Sequence, residues 1–250
     1  LLVAVWASVG AALALVVEAA IIALPAGAGL TQTFISCLHD RRTSWGLVPV
    51  VGAIRALIDG RCIARHRPRQ AAKEETPGLW QRAALRRLLT EAGLIAAFAW
   101  LAWRHGLTWM TFVLSGYTVV FAIIIGTDLE HHLILNRVVA PAAVFALLVS
   151  PTLPDVGLLR AVLGAAVGFL FMLLPALIMP GGLGAGDVKL AGLLGLATGL
   201  GHILTTLAIG VLLGGAATAL LLITRQIGRR DYVPYGPFLI AGAAIVFMTW

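Results

Sequence analysis

Two aspartates stand where long apolar runs break: Asp128 in Phe-Ala-Ile-Ile-Ile-Gly-Thr-Asp-Leu-Glu-His-His (121–132) and Asp187 in Gly-Leu-Gly-Ala-Gly-Asp-Val-Lys-Leu (182–190). A carboxylate at the edge of hydrocarbon costs a few kcal/mol, so it is a functional candidate by default. Two carboxyl groups that share one proton can divide acid–base work, one activating water and the other protonating a leaving group. Gly184 and Gly186 flank Asp187 and would let backbone come close to a substrate or to the opposing carboxylate. Ordinary helix capping is the structural alternative for each aspartate. Lys189, two residues after Asp187, either tunes such a site electrostatically or reaches out to headgroups. Glu130, His131 and His132 lack a His-Glu-x-x-His spacing, so no metal chemistry is read from them. Glu18, inside the first apolar run, reads as a hydrogen-bonding group toward a neighbouring helix.

The elements that must position these groups are membrane helices. The chain is 60% hydrophobic and only 12% charged over 250 residues, against about 25% charged in soluble domains. The fold class expected is all-α, a polytopic membrane helix bundle. A span needs about 20 apolar residues, and eight segments are predicted: 1–24, 91–104, 107–127, 138–153, 158–179, 189–200, 203–224 and 237–250. Residues 1–24 lack the basic start of a signal peptide and are read as the first span. Residues 46–58 are apolar but too short to cross, which suits an interfacial or re-entrant piece. Small residues in the later segments, Gly164 and Gly168, Gly192 and Gly195, suit close helix packing.

Charge sets the topology. With 25–90 placed inside as a cytoplasmic loop, every Lys and Arg except Arg104 and Arg160 falls on the inner side. Both termini of the chain are then outside, and Asp128 and Asp187 share the cytoplasmic side. The formal charge of +7 thus reflects topogenic loops and anionic lipid surfaces rather than nucleic acid. Cys37 and Cys62 fall in the basic loop, in a reducing compartment where a structural disulfide is not expected.

Thr-Asp-Leu-Glu-His-His-Leu-Ile-Leu-Asn (127–136) resembles the first aspartate motif of type IV prepilin peptidases. Gly-Ala-Gly-Asp-Val-Lys-Leu-Ala (184–191) looks like that family's Gly-x-Gly-Asp-x-Lys motif, and Val-Pro-Tyr-Gly-Pro-Phe (233–238) is similar to the segment opening its last span. The resemblance covers about residues 85–250. It implies an eight-span aspartyl endopeptidase of the bacterial inner membrane that cleaves leader peptides from prepilin or pseudopilin precursors at the cytoplasmic face. Asp128 and Asp187 would be catalytic, with Gly184, Gly186 and Lys189 in support, and no cofactor is needed for cleavage. Many relatives also N-methylate the new N-terminus with S-adenosylmethionine.

The pattern departs from the family in its N-terminal third. Many members carry a Cys-x-x-Cys pair of pairs binding zinc; here Cys37 is followed by Leu-His-Asp and Cys62 by Ile-Ala-Arg, so two thiolates are missing and zinc is not expected. The family's Gly-Ser-Phe-Leu-Asn pattern is absent from residues 10–20, and Arg86-Arg87 stands before Leu88-Leu89-Thr90 where many members have glutamate. These departures bear on methylation, not on cleavage. The organisation expected is a first span at 1–24, a degenerate zinc-type loop at 25–90 and a peptidase core at 91–250. Two other readings remain at this point: a proton-coupled transporter, which would show mid-span charges, broken helices and a repeat, and an idle pilus-assembly scaffold.

Overall fold

The computed structural model describes residues 2–24, 79–178, 183–226 and 233–249. Cys37, Cys62 and most of the basic stretch 25–90 lie outside them. Among the described residues the chain is helical throughout, in seven α-helices: α1 (Leu2–Ala23), α2 (Leu79–His105), α3 (Trp109–His131), α4 (Asn136–Val149), α5 (Gly157–Ile178), α6 (Ala185–Ile223) and α7 (Gly236–Met248). A 3₁₀ turn, Ser150–Thr152, follows α4. Four of the helices, α1, α3, α5 and α6, are long and apolar enough to cross a membrane. Their outward faces carry the large apolar side chains that a water-soluble protein would hide: Leu159 and Leu212 are each 72% exposed. In lipid this costs nothing, because hydrocarbon tails are as apolar as leucine.

Helix α2 begins at Leu79 rather than near 91. Its first turns, Trp80-Gln81-Arg82-Ala83-Ala84-Leu85-Arg86-Arg87, are charged and so were not expected within a span, but they hold only helix-tolerant residues after Pro77-Gly78. The other boundaries expected from the apolar runs fall within a few residues of the helices.

The chain forms two compact units, Leu1–Ile123 and Ile124–Trp250. In the first, α1 packs on α2 through Gly10, where a Cβ would stand 3.0 Å from the Leu94 carbonyl oxygen and from Phe98. Ala14, Val17, Ile21, Leu94 and Phe98 make its core. The Trp6 indole N–H donates to Ser115 Oγ at 3.0 Å, which satisfies a donor that hydrocarbon could not. Glu18 of α1 and Glu91 of α2 are both buried here.

The second unit is organised by α6. A straight helix of its 39 residues would run about 58 Å, nearly twice the hydrocarbon thickness of about 30 Å. It is not straight. Gly199 takes φ 71° and ψ 172°, a conformation essentially reserved for glycine, and breaks the helix into two rods. The rods fold back on each other. A Cβ on Gly168 of α5 would touch both the Ala191 carbonyl and Ile203 Cδ1, residues that a straight helix separates by about 18 Å. The expected spans 189–200 and 203–224 are thus the two arms of this hairpin, with the reversal at Gly199 itself.

Glycines set the helix spacing throughout this unit. Gly164 of α5 and Gly195 of α6 meet backbone to backbone, with a Cβ on Gly164 only 2.8 Å from Leu200 N. Gly192, by contrast, makes only ordinary contact with Phe169 at 3.6 Å. Along the second arm, Thr206, Gly210 and Gly214 face Gly242 and Leu239 of α7 and its N-cap Tyr235 in reverse order, so these two helices are antiparallel. Bundles without a hydrophobic drive between helices gain their association from such close backbone approach.

Gly195→Val should therefore lower the melting temperature of the detergent-solubilised protein by several degrees, through overpacking that costs about 1–3 kcal/mol. Gly201→Ala, whose Cβ would meet nothing within 4 Å, should leave it unchanged. Equal melting temperatures for the two variants would show that the α5–α6 contact does not set the stability.

Candidate active site

Asp128 lies in the last turn of α3, and Asp187 in the first turn of α6. Both belong to the second unit, and both are buried, 1% and 3% exposed. Asp187 feels the charge of the Asp128 carboxylate, so the two groups lie within electrostatic reach of each other.

Each aspartate accepts a hydrogen bond from a glycine amide at a helix start. Gly184 is the N-cap of α6, and Asp187 stands three residues on, where an acidic side chain reaches back to the N-cap N–H. The Asp187 amide in turn donates to the Gly184 carbonyl at 3.0 Å. Gly236 opens α7 and donates its N–H to Asp128 Oδ2 at 3.1 Å. The electropositive ends of two helices thus point at the pair, in a place where negative charge is favoured. Asp187 keeps one oxygen, Oδ1, buried with no hydrogen-bond partner. That oxygen is an acceptor already stripped of water.

The connection after α3 closes over the pair. His132 takes a positive φ of 52° and turns the chain off the helix, with its amide bonded to the Asp128 carbonyl at 2.9 Å. Two residues later Ile134, partly exposed, wedges between the two motifs. A Cβ on Gly186 would stand 2.9 Å from Ile134 Cβ, and one on Gly236 would stand 3.5 Å from Ile134 Cδ1. Gly186 therefore makes room for Ile134 beside Asp187. Lys189 donates to Asn136 Oδ1 at 3.0 Å, tying the start of α6 to the start of α4. Its ammonium is held by the neighbouring motif rather than extended alone toward headgroups. His131 pairs with Glu130 at 3.7 Å.

Of the residues singled out by sequence, Asp128, Asp187, Gly184, Gly186 and Lys189 all fall in this one neighbourhood, while Cys37 and Cys62 are outside the described residues. Gly236, Ile134 and Asn136 join it without having been singled out. All three sat inside quoted motifs, but a backbone amide and a wedge leave no signature in residue type.

The structure is thus a helix bundle that buries two carboxyl groups within electrostatic reach of each other, at the starts of two helices. Comparison with known proteins goes further. Residues 115–219 match the type IV leader peptidase family. A prepilin leader peptidase/N-methyltransferase of Pseudomonas putida is 30% identical over 212 residues, 82% of this chain and 68% of that protein. Proteins of the same name from Bacillus subtilis, 30% identical over 58% of each chain, and Xanthomonas campestris, 32% identical over 58% of this chain and 52% of that one, are also similar. The chain spans a little over half the length of these last two relatives. No solved structure matches it. The chain belongs to the type IV leader peptidase family.

Lys189→Met and Asn136→Ala should each shift the melting temperature by only about 1–3 °C, because both side chains are exposed to screening. The double variant should do no worse than either single one. Additive losses would mean that the two side chains do not act through their mutual bond.

Proposed function

We propose that this chain is a membrane aspartic endopeptidase that removes leader peptides from type IV prepilin or pseudopilin precursors, with Asp128 and Asp187 as its acid–base pair. The observation that carries this reading is the buried pair itself: two carboxyl groups from different helices, interacting with each other and each held by a glycine amide. Family membership gives the reaction class.

The chemistry follows from the pair. One carboxylate takes a proton from water as its oxygen attacks the scissile carbonyl; the other carboxyl protonates the departing amine as the C–N bond breaks. The products are the leader's carboxyl group and a new N-terminal amine, and the pair ends with one proton as it began, now on the carboxyl group that acted as base. Two adjacent carboxylates cannot both ionise cheaply, so the pair works as a unit with macroscopic titration behaviour. Gly184 and Gly186 support Asp187 by amide donation and by admitting Ile134, and Lys189 supports the site through Asn136.

The positive-inside balance favours placing the pair at the cytoplasmic face of a bacterial inner membrane, with both ends of this chain on the far side. The relatives' names include N-methyltransferase. For this chain the proposal is confined to cleavage, since its departures from the family pattern fall in the N-terminal third. A methylating activity would need S-adenosylmethionine as donor. The transporter reading asked for broken helices, but the break at Gly199 is a reversal between two packed rods, not an unwound ion site.

Asp128→Asn and Asp187→Asn should each reduce cleavage of a purified prepilin by about 10²–10⁴-fold or more while the protein still inserts into membranes. Substantial turnover by either well-folded variant would overturn the aspartic mechanism. Cys37→Ser combined with Cys62→Ser should leave cleavage within about twofold, as two cysteines cannot supply the four-thiolate site of the family pattern. Stoichiometric zinc in the purified protein, lost together with activity on chelation, would refute that.

A further inference from the structure

The Pro234-Tyr235-Gly236-Pro237 turn has so far supplied one amide to the pair, and its backbone does more than donate. Gly236 N–H donates to Asp128 Oδ2 at 3.1 Å. A Cβ at this position would stand 2.6 Å from that same oxygen and 3.2 Å from Asp128 Cγ, a distance at which something must move. The carboxylate occupies the space that a side chain would need. Pro237 in the first turn of α7 fixes the backbone there, and the Phe238 and Leu239 amides bond back to the Tyr235 carbonyl at 3.1 and 3.2 Å. The Gly236 amide is thus presented by a turn with little freedom of its own.

Resting on the reading of Asp128 as catalytic, we infer that Gly236 is a positioning residue of the aspartate pair: its amide fixes the Asp128 carboxylate in place, and glycine is required because the carboxylate itself fills the site of a Cβ. Asp128 stands in the last turn of α3, where that helix's own dipole disfavours negative charge, so its orientation depends on a donor from another helix. Gly184 gives Asp187 the same support from within its own helix. The two carboxylates therefore differ in how they are held. Asp187 travels with α6, whereas Asp128 is aligned only while the start of α7 is docked against the end of α3.

The test uses the full chain in detergent with a purified type IV prepilin as substrate. Gly236→Ala should lose on the order of 100-fold in kcat with KM within about threefold, since misplacing a reacting group by about 1 Å has that effect on the chemical step. Its pH–rate profile should differ in position from that of the parent, which loss of packing alone would not produce. Gly10→Ala is the matched control, because its Cβ would also be crowded, 3.0 Å from the Leu94 carbonyl oxygen and from Phe98, but belongs to the first unit and has no part in carrying α7. It should lower the melting temperature and spare kcat. Wild-type kcat in folded Gly236→Ala, or a change confined to KM, overturns the inference.

Should Gly236→Ala fail to fold, amide exchange decides. Between 233 and 238 only Val233, Tyr235, Gly236 and Phe238 carry backbone N–H groups. Asp128→Ala should speed exchange in this segment by at least about tenfold, and Asp128→Asn, whose amide oxygen still accepts, should not. Equal exchange in the parent and in Asp128→Ala overturns the inference. Activity in Asp128→Asn would instead overturn the catalytic reading, so the two failures are separable.

Discussion

The interaction on which the second unit depends is the hydrogen bond between a buried carboxylate and a glycine amide at a helix start. Two such bonds, Gly236 to Asp128 and Gly184 to Asp187, hold two acidic groups within electrostatic reach of each other where neither is more than 3% exposed. Burying an uncompensated carboxylate is among the costliest things a fold can do. The amides offset part of that cost without introducing a charge. The rest of the unit can be understood as what is needed to bring the starts of α6 and α7 to the end of α3.

That requirement explains the glycines. Helix α7 can reach Asp128 only if it lies close along the second arm of α6, and Gly210, Gly214 and Gly242 remove the side chains that would keep them apart. The first arm of α6 must in turn lie against α5, which Gly164, Gly168 and Gly195 allow. The reversal at Gly199 is the hinge of the arrangement. It lets one stretch of chain present Asp187 at one end and still supply the surface on which α7 packs.

Much of this was legible in the sequence because membrane helices and intramembrane charges are written in residue type. Long apolar runs predict the helices, and two lone aspartates at their ends stand out against hydrocarbon. The early start of α2, ahead of the span expected at 91–104, was not legible because Arg82, Arg86 and Arg87 interrupt the apolar signal, although charge does not stop a helix that extends past the membrane surface. The break near 200 was legible as a gap between two apolar segments, but the sharp fold-back is a property of one glycine's φ and ψ. Gly236 was hidden for a different reason: its contribution is a main-chain N–H, which every residue but proline possesses. Only the fold shows that this amide, and not one of its neighbours, is aimed at Asp128. Ile134 was equally silent, being one apolar residue among many until the structure set it against both Gly186 and Gly236.

The choice of neutral donors has a consequence for the chemistry proposed. An acid–base pair must pass a proton back and forth, so neither member can be locked as a permanent anion. A lysine or arginine bonded to either carboxylate would do that, since a buried ion pair is strongly destabilised when one partner is neutralised. The nearest lysine in sequence, Lys189, is instead bonded to Asn136, a neutral partner outside the pair. Backbone amides orient a carboxylate whether it is charged or protonated, because either form offers an acceptor oxygen. They are therefore suited to fixing the geometry of a pair whose charge must remain free to move. With Asp187 Oδ1 buried and unpartnered, an acceptor remains for a group that the protein itself does not supply.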